Sequence, residues 1–155
     1  MKKIKVVLAT LVFSAFALSC GSDDENPLGG DLTAKWNQTK TVTRISGVNT
    51  TDNYTGNDPN CEKDYLEFKD NGDVIFAVWN ENADGDCQES FASDLTEYQK
   101  TGNTLIIGGT NASYSGEYQI ARLTGSELQI KKTSNAGGGT EITTTIYFNK
   151  AANQN

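Results

Sequence analysis

The chain has no histidine among its 155 residues. That absence removes the Ser-His-Asp and Cys-His nucleophile systems and every metal centre that requires imidazole. Basic residues are scarce as well: 13 Lys and Arg stand against 20 Asp and Glu, a formal charge of −7. A nucleic-acid binder neutralises phosphates with Lys and Arg, so this balance argues against that class of partner. Beyond residue 31 no stretch sustains a 3.6-residue apolar period over three turns, which excludes a helical body. There is no Ser-x-x-Lys segment to activate a serine. Gly137-Gly138-Gly139 is followed by neither a helix nor a Lys-Ser/Thr pair, so it is no phosphate cradle. The length suits one domain.

What is present begins with an address. Met1-Lys2-Lys3-Ile4-Lys5 is a basic start, and Val6 to Leu18 is an uncharged, mostly apolar run of thirteen residues. As a helix such a run rises only about 20 Å, short of a hydrocarbon core of about 30 Å, so it reads as a secretory signal over residues 1–19. The following Ala17-Leu18-Ser19-Cys20 resembles the lipobox of bacterial lipoproteins, with Leu18 two places before the cysteine rather than three. That resemblance implies lipidation at Cys20. Residues 20–30 then form an acidic tether, Gly21-Ser22-Asp23-Asp24-Glu25-Asn26, ending in Pro27-Leu28-Gly29-Gly30. The acidic stretch resembles the surface-export signal of Bacteroidota lipoproteins and implies an outer-membrane, surface-exposed location. Without Lys2, Lys3 and Lys5 the remaining chain has 10 basic and 20 acidic residues. So acidic a body is repelled by anionic headgroups, which leaves the membrane attachment to the lipid. Each buried acyl CH₂ contributes about 0.8 kcal/mol.

Cys61 and Cys87 are the remaining thiols, and outside the cytoplasm an even pair reads as a disulfide. Asp70-Asn71-Gly72-Asp73 is a tight-turn signal between two strand-like runs. With Asn71-Gly72 as the loop, opposed residues sum to 143. Cys61 then faces position 82, and residues 81–86 bulge to bring Cys87 to the same open end of the hairpin.

Period-two runs separated by Gly, Asn and Asp turns predict eight strands: 33–46, 62–69, 73–80, 91–100, 104–107, 113–123, 127–131 and 140–149, with a Gly-rich loop over 134–139. The chain should therefore be an all-β, antiparallel, up-and-down structure over residues 31–150, with 151–155 as a tail. Closing such a sheet into a barrel removes its edges, and at eight strands the interior either fills with side chains or holds one small ligand. A β-sandwich is the rival architecture. A membrane-spanning barrel is disfavoured, because the strands are too short and irregular for an apolar band of about 25 Å.

Several segments together carry a family resemblance. They are Ala34-Lys35-Trp36, Cys61-Glu62-Lys63-Asp64-Tyr65-Leu66-Glu67-Phe68-Lys69-Asp70-Asn71-Gly72, Cys87, Thr101-Gly102-Asn103-Thr104-Leu105 and Leu123-Thr124-Gly125-Ser126-Glu127-Leu128. The pattern resembles the lipocalin-like domain of Bacteroidota lipoproteins over about residues 31–150. It departs from lipocalins proper in having Ala34 where their Gly-x-Trp motif has glycine. A long loop over the barrel mouth and a C-terminal helix are not apparent either. The resemblance implies an eight-stranded lipocalin-like barrel with Trp36 packed in its closed end.

Other chemistry is thinly supported. Asn80-x-Asn82-x-Asp84-Gly85 lacks the leading Asp of a calcium loop, and its twelfth position is Phe91 rather than Glu, so it reads as a hairpin rim. No metal or cofactor is expected. Paired carboxylates are numerous but read as solvated surface charge. Trp79, Tyr54 and Phe91 fall toward one end of the barrel, either capping the core or forming an exposed patch. The sequence thus predicts a non-enzymatic, lipid-anchored envelope protein binding a small, largely apolar ligand. The inward residues Leu66, Phe68, Phe76, Val78, Tyr118, Ile120, Ile146 and Phe148 would make that site. The alternative is a cavity-less accessory module partnered with other envelope proteins.

Overall fold

A computed structural model describes residues 27–152 other than 59, 93 and 94. The signal segment 1–19, Cys20, the tether to residue 26 and residues 153–155 lie outside the described residues. The described chain is all strand, turn and loop. In order the strands are β1 (Ala34–Ile45), β2 (Val48–Asn53), β3 (Tyr65–Phe68), β4 (Val74–Glu81), β5 (Cys87–Ala92), β6 (Leu95–Thr101), β7 (Thr104–Gly109), β8 (Gly116–Leu123), β9 (Glu127–Ala136) and β10 (Thr140–Lys150). They form one antiparallel sheet in the order β5-β4-β3-β1-β10-β9-β8-β7-β6, with β2 also paired to β1.

The expected all-β, up-and-down architecture is present, with ten strands rather than eight. Both additions follow from how one strand position can be shared. β10 occupies one flank of β1 from Trp36 to Ile45. β2 pairs with Lys40–Ile45 and β3 with Ala34–Asn37, so both lie along the other flank, end to end. Similarly, β5 pairs with Phe76–Glu81 of β4, and the bridge Asp73↔Glu97 brings β6 to the start of that same flank. The run predicted over 91–100 is therefore two strands. Along the sheet the ten strands fill nine positions, β2 and β3 sharing one.

The sheet is not closed, which corrects the expectation of a continuous cylinder. Among the described residues its two ends touch at the Asp73↔Glu97 bridge. Beside it, the Tyr98 backbone N–H donates to the Gly72 carbonyl at 2.8 Å, and the Tyr98 hydroxyl to the Lys69 carbonyl at 2.9 Å. The β3–β4 turn is tied to β6 by these contacts rather than by a ladder.

Local chemistry explains the turns. Ser46 and Gly47 both have positive φ, 50° and 84°, which is the conformation a two-residue hairpin loop with matching strand twist requires. β2 follows it, although Val48-Asn49-Thr50-Thr51-Asp52-Asn53 is exposed throughout and carries no apolar alternation to betray it. The Asp70–Gly72 turn holds three residues rather than two, so opposed residues sum to 142: Tyr65 faces Ala77 and Phe68 faces Val74. Residues 134–136, expected in a loop, instead extend β9 to Ala136. Residues 113–115 are turn rather than strand.

The inner face is packed hardest at the Trp36 end. Trp36, Leu66, Phe68, Val74, Leu105, Leu123, Leu128 and Phe148 are essentially inaccessible to solvent. The Trp36 indole N–H donates to the Leu32 carbonyl at 2.8 Å, so the ring is buried without an orphaned donor. The preceding segment crosses this end: the Gly30 N–H bonds to the Leu123 carbonyl at 2.8 Å, and the Leu123 N–H to the Pro27 carbonyl. A β-carbon at Gly30 would strike the Thr124 backbone, so glycine is what permits this approach.

Cys61 and Cys87 are bonded, with Cα atoms 5.6 Å apart. The bridge joins the β2–β3 connection to the first residue of β5. Residues 82–86 form the β4–β5 turn rather than a bulge, with Asn82 Oδ1 accepting from the N–H groups of Asp84 and Asp86 at 2.9 Å.

Candidate functional site

The end of the sheet opposite Trp36 holds a cavity of about 390 Å³. Its lining is mixed. Phe76, Ile146, Tyr54 and Tyr114 supply apolar surface, while Gln38, Thr41, Thr144 and Lys132 supply polar groups. A small-ligand site typically combines apolar walls with a few fixed polar groups, at volumes of roughly 300–1,000 Å³.

Each wall has a local cause. The β1–β10 register slips between Gln38 and Lys40, leaving Thr39 unpaired. This extra residue breaks the alternation, so Gln38 and Thr41 both face the cavity. Gln38 Nε2 donates to Thr41 Oγ1 at 3.1 Å. Across β10 and β9, Thr144 pairs with Lys132 and Ile146 with Ile130. The Lys132 ammonium lies 5.4 Å from the centre of the Tyr118 ring.

The floor is a single side chain. Asn111 accepts, through Oδ1, the N–H groups of Ser113 at 3.0 Å and Tyr114 at 3.1 Å, and its carbonyl accepts from the Ser115 N–H at 2.8 Å. This tight turn drops Tyr114 into the sheet's interior, where it is 3% exposed. Its ring meets Phe76 at 4.7 Å and Phe148 at 6.5 Å between centres, and its hydroxyl donates to Gln38 Oε1 at 2.7 Å. Burial pushes the Tyr114 phenol well above its ordinary pKa, and that of Tyr118 up to about 12. Both hydroxyls stay protonated and able to donate at neutral pH.

Asp64 positions the remaining wall. It is 1% exposed. Its carboxylate accepts from the Tyr54 hydroxyl at 2.5 Å, the Asn57 N–H at 2.6 Å and the Trp79 N–H at 2.7 Å. Three donors compensate the burial of the charge and hold the 54–64 connection against β4. Burial, with the hydrogen bond to Asp64, raises the Tyr54 pKa far above the usual phenol value.

Of the eight residues proposed from sequence as ligand contacts, Phe76 and Ile146 line this cavity. Leu66, Phe68, Tyr118, Ile120 and Phe148 are buried in the packed core instead. Val78 is half-buried and belongs to neither group. Alternation finds the inward face but not the height along a strand at which packing stops. Trp79, Tyr54 and Phe91 do not act together. Tyr54 lines the cavity, whereas Trp79 and Phe91 share the outward face of β4 and β5 with Ala77, and Phe91 is 59% exposed. Alternation puts Tyr114 in phase with Tyr118 and Ile120 but does not reveal it as a cavity floor carried on a turn. Gln38, Lys132 and Asp64 escape it as site residues, because a bulge and a buried carboxylate leave no periodic signature.

The sequence profile of a family described as a lipocalin-like domain matches residues 32–130. Two solved structures are similar to the chain. A bovine odorant-binding protein, a deswapped triple mutant, is 18% identical with a TM-score of 0.37, the match covering 79% of this chain and 75% of that one. Aphrodisin, a sex pheromone from female hamster, is 14% identical with a TM-score of 0.36, covering 79% of this chain and 76% of that one. No curated protein sequence matches the chain.

Proposed function

The chain belongs to the lipocalin-like domain family, and from that premise we propose that it is a non-enzymatic binder of one small amphipathic molecule at the mouth of the sheet. The observation that carries this reading is the 390 Å³ cavity, whose lining combines Phe76, Ile146, Tyr54 and Tyr114 with Lys132, Gln38, Thr41 and Thr144. An apolar end would rest on Phe76, Ile146 and the Tyr114 ring, and a polar end would face Lys132. The site is shallower and more polar than one holding a largely apolar ligand along the whole interior, because Tyr114 and the residues beneath it already fill that space.

Titration of the purified protein with a dansylated fatty acid tests this. Saturable uptake of one probe per chain is expected, weakened several-fold by Lys132→Gln and by Ile146→Asn. Absence of saturable uptake by the wild-type protein, or uptake indifferent to both substitutions, would overturn the reading.

The packed interior also favours a second reading, an accessory module that partners other envelope proteins and carries no ligand. It predicts no probe uptake, together with co-extraction of defined envelope proteins in mild detergent.

Either role is proposed to operate from a membrane anchor. Cys20 would carry the lipid after removal of residues 1–19, and the acidic tether would direct the protein to the outer surface of a Bacteroidota outer membrane. The basic start, the thirteen-residue apolar run and the Ser19-Cys20 junction support this. Cys20→Ala should release the protein from membranes and abolish incorporation of labelled palmitate. Persistent membrane association of that variant would refute the anchor.

A further inference from the structure

At the rim of the sheet, where β1, the start of β3 and the end of β10 meet, lies a groove of about 640 Å³. It is separate from the mouth cavity and shares none of its lining. Three lysines line it, Lys35, Lys63 and Lys150, with Glu62 the one acid among the lining residues. The lining thus carries three positive charges and one negative on a chain of net −7, and it is flanked by Glu67, the cross-strand partner of Lys35, and by Glu89 on the Tyr65 hydroxyl.

The arrangement is held by the fold. Asn37 Nδ2 donates to the carbonyls of Lys63 at 3.2 Å and Asp64 at 3.1 Å, fixing the lead-in to β3 beside β1. The Ala151 N–H donates to the Lys35 carbonyl at 2.8 Å and sets the opposite wall. Lys35 Nζ sits 4.1 Å from the centre of the Tyr65 ring and donates to its hydroxyl at 3.0 Å, while that hydroxyl donates to Glu89 at 2.6 Å. The Lys35 head is thus oriented over an aromatic wall with further N–H donors to offer. Among the described residues, neither Lys63 nor Lys150 is paired with a carboxylate. With three lysines and one acid the lining is net positive, which favours an anion there.

We propose that this groove binds a phosphate ester. Lysine ammoniums act as point charges on phosphate, whose several oxygens can meet more than one of them. The ester's organic part would lie against Tyr65 and the alanines at 151 and 152. The same chemistry is presented by a soluble phosphate ester and by the headgroup of a phospholipid.

The test uses the full chain in a Cys20→Ala background, so that no lipid anchor drives association. One arm titrates phenyl phosphate by calorimetry at low ionic strength. The other measures binding to phosphatidylcholine vesicles with and without phosphatidylglycerol. Saturable phenyl phosphate binding, at least tenfold weaker in Lys35→Gln/Lys150→Gln and in Lys150→Gln/Lys63→Gln, and unchanged in Lys100→Gln, supports the site and a soluble ester. Phosphatidylglycerol-dependent vesicle binding with the same losses, without phenyl phosphate binding, supports the site and a headgroup. Absence of binding in both arms, or equal loss in Lys100→Gln, overturns the proposal. The second double variant leaves the Lys35–Tyr65 contact intact, so a folding defect cannot stand in for loss of the site.

Discussion

The Tyr114 hydroxyl donates to Gln38 Oε1 at 2.7 Å across the interior of the sheet, joining residues 76 apart in sequence. This one bond links the β7–β8 turn to the bulged wall of β1. It sets the depth of the mouth cavity, because the ring beneath the hydroxyl is the floor.

Removing the floor should deepen the cavity at a cost in stability. Tyr114→Ala is expected to destabilise the fold by about 3–5 kcal/mol, as large-to-small core changes do. It should also raise the uptake of apolar probes. Tyr114→Phe keeps the ring but leaves Gln38 Oε1 without its donor, for about 1–2 kcal/mol. Urea unfolding and probe fluorescence on both variants check the ordering.

The Cys61–Cys87 bond closes a 26-residue separation. In the chain-entropy picture, such a loop stabilises by about 3 kcal/mol. Melting curves with and without reductant, and of Cys61→Ala, should show that loss. An unmoved curve in reductant would refute the bridge.

Asp64 concentrates three hydrogen bonds on one buried carboxylate. Asp64→Ala should cost about 3 kcal/mol or more, since buried donors lose their acceptor. Hydrogen exchange should quicken over residues 54–64 more than in β8 and β9. A uniform change across the sheet would show that Asp64 does not pin that connection.

Alkaline pH should unfold the protein. Burial raises the phenol pKa values of Tyr54, Tyr65, Tyr114 and Tyr118 above the ordinary 10.0. A phenol raised on folding binds its proton more tightly in the native state. Its contribution is complete below pH 10 and falls as pH rises, over pH 10 to about 12 for Tyr118. Phenolate absorbance from these four should appear together with loss of the native circular dichroism signal. Early ionisation of the whole tyrosine set at pH 10 with the fold intact would contradict the burial.

Much of the fold is legible in the chain. Alternation in Glu127-Leu128-Gln129-Ile130-Lys131 and in Ile142, Thr144, Ile146 and Phe148 marks an inner face because residues two apart on a strand share a side. The paired cysteines, and the strand-only character of the described residues, follow from equally local signals.

Long-range packing decided the rest. β2 exists because β1 offers it an edge, not because its own residues demand burial. The sheet's two ends meet at Asp73 and Glu97 without a ladder, a matter of curvature that no periodicity encodes. The inward residues divided into packed core and cavity wall according to where Tyr114 came to rest. That depth was set by a turn built on Asn111, a bulge at Thr39 and a hydrogen bond between segments distant in sequence. Composition and spacing determine which faces are apolar; only the folded chain determines how much of that apolar space its own side chains occupy.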